Sequence, residues 1–180
     1  MNKITNALAV VFNSRASLFI LIASIFFAGC VTERIDAEPK KYDVFYKARA
    51  ISPSHIELAG GMKIHLIGVE PPAPAFPGKP GHPFRDESVR LMKEYLKGAD
   101  VALETGPRER DRFDVPFAFV FVKRTDSATG KPVMVFLNAM VLESGWGRFA
   151  TTGENNKYDD VLYKAQMEAQ SAKRGIWKFE

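Results

Sequence analysis

Residues 49–73 read RAISPSHIELAGGMKIHLIGVEPPA, from Arg49 to Ala73. Two strand-like runs stand in it, Ile56 to Leu58 and Lys63 to Val69, and Gly60 and Gly61 between them supply the conformational freedom of a tight hairpin turn. Further short runs lie on either side: Val44 to Ile51, Val101 to Glu104 and Phe117 to Val122, rich in β-branched and aromatic residues. Helical periodicity appears twice. Phe84, Val89, Met92, Tyr95 and Leu96 form one apolar stripe ahead of Gly98. Val161, Leu162, Ala165, Ala169 and Ala172 form another, closed by Lys173, Arg174 and Gly175. A shorter helix is expected over about Asn138 to Ser144, ending at Gly145. Short strands around a small core with helices inserted and appended predict an α+β, mainly β chain, an OB-fold five-stranded barrel with about three helices.

The same stretch resembles the thermonuclease (staphylococcal nuclease-like) family, whose pattern runs V-D-G-D-T-hydrophobic-x-L and then hydrophobic-R-L-hydrophobic-G-hydrophobic-D-x-P-E. Four later segments resemble that family in order. Lys97 to Glu104 (KGADVALE) is similar to its G-x-x-V-x-L-E strand, and Glu109 to Val122 (ERDRFDVPFAFVFV) to its D-x-Y-G-R-x-L-A-Y segment. Phe136 to Gly145 is similar to V-N-x-x-L-V-x-x-G, and Ala165 to Trp177 to the closing A-E-x-x-A-x-x-x-x-x-G-L-W. The resemblance covers about Tyr42 to Trp177. Its apolar and glycine positions agree, whereas most of its charged positions do not.

In active members, the resemblance implies, calcium held by aspartates binds the phosphate, a glutamate prepares the water, and two arginines stabilise the transition-state charge. Here the metal-binding aspartate of D-G-D-T falls on Ser54, the first arginine on His65, the second aspartate on Glu70, the base on Ala73 and the second arginine on Val115. Glu70 is the one acid left in the motif and the one candidate metal ligand among these positions. A hydroxyl is a poor calcium ligand, histidine is mostly neutral at pH 7, and alanine and valine carry no charge. Losing the base costs on the order of 10² to 10⁴ in rate, and losing a charge-stabilising donor about 10² to 10³. The expectation is a catalytically silent member with no intact catalytic set and no cofactor, calcium entering only if the chain is active after all.

Asp111 reads as a turn or loop ligand. A small transition-metal site from His55, His65 and Glu70 is a further alternative, against which stands the lack of compact metal-ligand spacing. Pro71 to Phe84 (PPAPAFPGKPGHPF) holds six of the chain's eleven prolines. A stiff loop is expected there, and Phe76, His82, Phe84 and Arg85, with Arg110 and Arg112, are candidates for a binding surface. The odd-numbered spacing of Phe113, Phe117, Phe119 and Phe121 puts all four on one face of a strand, read as barrel core ahead of a base-stacking platform because the basic groove of a single-strand binder is missing.

Outward from the domain, residues 1–29 have the layout of an export signal: Lys3 and Arg15, no acid, then an apolar run from Ala16 to Ala28. That run is shorter than the ~20 apolar residues of a bilayer span. Phe27, Ala28 and Gly29 before Cys30 resemble the lipobox of bacterial lipoproteins, which implies lipidation of Cys30 and a membrane tether. The alternative is an uncleaved anchor, with Cys30 a small apolar residue inside it. Residues 30–41 read as a flexible tether and residues 42–180 as the folded domain. Val31 after the cysteine points to an outer membrane where the cell has one.

Removing residues 1–29 lowers the formal net charge from +4 to +2, because Lys3 and Arg15 go with them. That near-neutral balance disfavours the strong basic face of a nucleic-acid binder. A lone cysteine forms no intrachain disulfide. The expected function is therefore a membrane-anchored, non-catalytic nuclease-like domain that binds an envelope protein or polymer. The alternatives are an active extracytoplasmic calcium-dependent nuclease and a non-cleaving single-strand binder.

Overall fold

In the computed structural model, which describes residues 42–180 apart from Thr152, the central hairpin forms as its glycines dictate. Strand β1 spans Tyr46–Ser52, β2 His55–Leu58 and β3 Lys63–Leu66, all antiparallel neighbours in that order. β5 (Asp100–Glu104) pairs with β1, β6 (Phe117–Thr125) pairs with β5, and a parallel pairing of β6 with β3 closes the ring. The result is a closed five-stranded barrel with three helices, α1 (Arg85–Leu96), α2 (Leu137–Glu143) and α3 (Asp159–Ser171), consistent with an OB-fold. The export-signal and lipobox features, Cys30 and the tether up to residue 41 lie outside the described residues. No helix of the described residues is long and apolar enough to cross a membrane.

Several boundaries depart from the sequence expectation. The run Lys63 to Val69 is broken after Leu66, and Val69–Glu70 becomes a separate two-residue strand, β4, paired with β8 (Arg148–Phe149). Gly68 makes the break, with φ +76° and a missing Cβ that would lie 2.6 Å from Leu162 Cδ1 of α3. β7 (Pro132–Phe136) adds a sixth strand beside β6; it is not among the expected runs, although Val133, Val135 and Phe136 after the Gly130 turn have strand composition, and the two-residue β8 is too short to show any. Ala172 caps α3 and is exposed, so the helix's buried stripe is Leu162, Ala165 and Ala169.

The core fills the barrel and the seam beneath α2. Ala118 to Val122 of β6 are all buried, so this strand is covered on both faces. Phe121 stacks on Phe136 at 4.9 Å, and Phe119 meets Tyr158 edge-on at 4.7 Å. Fully burying such a side chain contributes about 1.5–3 kcal/mol. Phe113, by contrast, lies outside β6 in the preceding turn and is 72 % exposed, so the four phenylalanines do not form one face.

Asn138 of α2 is fully buried and pins the barrel from inside. Its Oδ1 accepts from Val120 N–H at 2.9 Å, and its Nδ2 donates to the Ile67 carbonyl at 2.8 Å. Those bonds fix the end of β3 against β6, and with it the position of His65.

Candidate binding cleft at the barrel mouth

The hairpin turns through the three residues Ala59, Gly60 and Gly61, closed by Leu58 N–H donating to the Met62 carbonyl at 2.8 Å, so Glu57 faces Lys63, Ile56 faces Ile64 and His55 faces His65. The two imidazoles stack with centroids 4.2 Å apart, and His65 also lies 4.8 Å from the ring of Phe117, its partner across the parallel pairing. Ser54 is fully buried, and its hydroxyl is 2.8 Å from His55 Nδ1. Burial, followed by the charge of neighbouring His65, pulls the His55 pKa down to about 4, so His55 is neutral at pH 7.

Asp111 reaches the same place from the loop before β6. Its Oδ1 accepts the N–H groups of Phe113 at 2.8 Å and Val115 at 3.0 Å, which is the loop-ligand role expected of it. Its Oδ2 is 3.0 Å from His65 Nδ1. Burial pushes the Asp111 carboxyl up, but the hydrogen bonds from Val115, His65 and Phe113 together outweigh it and hold the pKa below the usual carboxylate value. No local sequence signal links Asp111 to His65, 46 residues earlier, and the His55–His65 pairing depends on the three-residue loop, since a two-residue turn at Gly60 and Gly61 would set His55 opposite Leu66.

Beside this cluster opens a cavity of about 520 Å³, lined by Ser54, His55, His65, Val69, Glu70, Pro71, Pro72, Arg85 and Val89 among others. Glu70 and Arg85 thus face one space, Glu70 from β4 and Arg85 from the first residue of α1. Ala73 is exposed just beyond Pro72, and Val115 is half-buried with its backbone bound to Asp111. Of the group weighed as an alternative, His55, His65 and Glu70, all three line the cavity, but the residues whose donor atoms come together are His55, His65 and Asp111.

The proposed surface residues separate. His82 and Phe84 pack toward Phe179 at 5.7 and 6.4 Å, and Phe84 backs the C-terminal cluster of Ala169, Ile176 and Trp177. Burial, then the charge of Arg148, lowers the His82 pKa. Phe76 stays 61 % exposed in a small turn closed against Lys79. Arg110 binds the Asp114 carbonyl at 2.7 Å, and Arg112 lies over the exposed Phe113 ring at 4.7 Å. These two arginines serve their own loop.

The donor set does not fit calcium. That ion takes 6–8 oxygen ligands, preferably anionic. Here the positions the resemblance assigns to it offer one carboxylate, on Glu70, and one buried hydroxyl, on Ser54, already engaged with His55. Beside them stand the imidazole nitrogens of His55 and His65 and the Asp111 carboxylate, whose Oδ1 is taken by two backbone N–H groups and whose Oδ2 faces His65.

Comparison with known proteins agrees with the barrel. The family model described as Staphylococcal nuclease homologue matches residues 63–179. The thermonuclease of Staphylococcus hyicus is 29 % identical over 114 residues, covering 63 % of this chain and 62 % of that protein. The thermonuclease of Staphylococcus intermedius is 25 % identical over 116 residues, 64 % and 63 % of the two chains. The probable endonuclease lcl3 of Botryotinia fuckeliana (strain B05.10) is 28 % identical over 116 residues, 63 % of this chain but 41 % of its own length. The match therefore spans less than two thirds of each relative's length. With the barrel, the order of its strands and a family match over residues 63–179 all in agreement, this chain belongs to the staphylococcal nuclease homologue family.

Proposed function

We propose that this domain uses the nuclease barrel to bind a ligand in its cleft without cleaving it, that residues 1–29 export it, and that a lipid on Cys30 tethers it to a membrane. The observation that carries the first part is what stands at the family's catalytic positions in and around the cleft. The base position is Ala73, the two arginine positions are His65 and Val115, and the Ser54 hydroxyl is buried against His55. Phosphodiester hydrolysis needs a base and cationic groups on the anionic oxygens, and losses within one site do not add independently. The ligand is an envelope protein or a short polymer.

Hydrolysis by an active extracytoplasmic nuclease is the alternative, favoured by Glu70 and Arg85 facing one cavity and by relatives named thermonuclease. One experiment separates them. The full chain in detergent is given calcium with labelled single- and double-stranded DNA and RNA, and cleavage and retention are measured together. The binding function predicts cleavage at background. Cleavage above background that disappears in Glu70→Ala would establish the nuclease instead. Retention without cleavage, weakening steeply with salt, would identify a single-strand binder. Lipidation is read separately, as incorporation of labelled palmitate that Cys30→Ser abolishes.

A further inference from the structure

His55, His65 and Asp111 each offer one donor atom, and these atoms all lie within 4.8 Å of one another at the rim of the cleft. Among the described residues this is the one group of three such side chains so placed. We propose that they bind a single divalent first-row transition ion of the zinc class.

Three features carry this. First, two metal–ligand bonds of about 2.0–2.1 Å at tetrahedral or octahedral angles put their donor atoms roughly 2.8–3.4 Å apart. His65 Nδ1 and Asp111 Oδ2, at 3.0 Å, already have that spacing; the ion would take the place of the proton on Nδ1, and the neutral ring would carry its proton on Nε2. Second, the supporting contacts for both partners exist without the metal. Asp111 Oδ1 is held by two backbone N–H groups, leaving Oδ2 on the His65 side. His55 Nδ1 is 2.8 Å from the buried Ser54 hydroxyl, and a bond from that nitrogen to the hydroxyl oxygen leaves the Nε2 lone pair for an ion. Such outer contacts orient ligating histidines in metal proteins generally. Third, the ligands sit on two strands and a loop that the barrel fixes, with His55 and His65 directly paired across the hairpin. The remaining adjustment falls on the χ2 torsion of His55, which is soft for an imidazole.

Two imidazoles and one carboxylate select a borderline ion over calcium or magnesium, which prefer all-oxygen shells. Three protein ligands leave at least one coordination position to water. The ion would join β2, β3 and the loop before β6, independently of whether the cleft binds or cleaves.

The test uses the full chain in detergent, stripped with chelator and carrying Cys30→Ser so that its single thiol does not compete. Zn(II) is titrated calorimetrically, and Co(II) is added as a spectroscopic and paramagnetic probe. One equivalent of Zn(II) should bind, and excess Ca(II) should not displace it. His65→Ala and Asp111→Ala should each weaken binding by at least about 10-fold, the least expected even for an outer-shell partner. Far-UV circular dichroism checks that these variants fold. If they do not, the unsubstituted ligands still decide the matter by proton NMR. The chain has three histidines. Co(II) should shift or broaden the ring signals of His55 and His65 and spare those of His82. No Zn(II) uptake, displacement by Ca(II), or perturbation of His82 in place of the pair would overturn the assignment.

Discussion

Replacing Asn138 by alanine tests whether this buried amide, more than hydrophobic packing alone, holds the cleft-forming end of β3. The substitution removes an acceptor from Val120 N–H and a donor from the Ile67 carbonyl, bonds of 2.9 and 2.8 Å at a fully buried residue. The third contact, to the Ala118 carbonyl at 3.4 Å, matters less, because that carbonyl also accepts from Ile67 N–H at 3.1 Å. Leaving a buried polar group unpaired costs about 1–3 kcal/mol. Two such groups predict a loss of roughly 2–6 kcal/mol, a large share of the ~5–15 kcal/mol by which native domains are stable. In urea denaturation the midpoint should fall with the slope unchanged, since the surface exposed on unfolding barely alters. Asn138→Asp keeps the acceptor but loses the donor and buries a charge, so it should cost at least as much. A loss below about 1 kcal/mol for Asn138→Ala would refute the reasoning, because it would mean that both backbone groups find other partners.

Other outcomes follow from the same geometry. Gly175 has φ +54°, and an added Cβ would lie 2.0 Å from the Gly145 carbonyl oxygen, so Gly175→Ala should lower the thermal midpoint, by more than about 2 kcal/mol in stability. Asp111→Asn keeps the acceptor for Phe113 and Val115 N–H but removes the charge beside His65, so it should be milder than Asp111→Ala, which leaves both N–H groups without it; paired denaturation curves rank the two. His55, surrounded by His65, Asp111 and Lys63, titrates near 4 when folded and near 6.5 when unfolded. The unfolded chain therefore binds more protons between those values, and stability should fall as pH drops from 6.5 to 4. In His55→Phe that part of the slope should vanish from a series of melts against pH. Glu70→Ala should leave cleavage at background in the nuclease assay, since Glu70 has no base or paired arginines to work with at the family's positions.

The barrel was legible in the chain because its determinants are local or periodic. Gly60 and Gly61 set the hairpin, apolar residues at Ile56, Leu58, Ile64 and Leu66 face the core, and Met92 and Leu96 or Leu162, Ala165 and Ala169 repeat at helical spacing. The substitutions at Ser54, His65, Glu70, Ala73 and Val115 were equally visible, since each sits inside a motif whose frame is intact. Where an apolar run ends was not visible. Gly68 interrupts β3 because Leu162 of a distant helix packs against its missing Cβ, and the two-residue strands β4 and β8 exist only through each other. The company each polar group keeps was likewise a matter of tertiary structure. Asp111 meets His65 because the parallel closure of β3 on β6 brings together residues 46 apart, while Glu70, only five residues after His65, sits on β4 and lines the cavity with Arg85. Periodicity along a chain encodes which face of an element is buried, but contacts between elements depend on how the sheet closes, and that is settled only when the whole barrel packs.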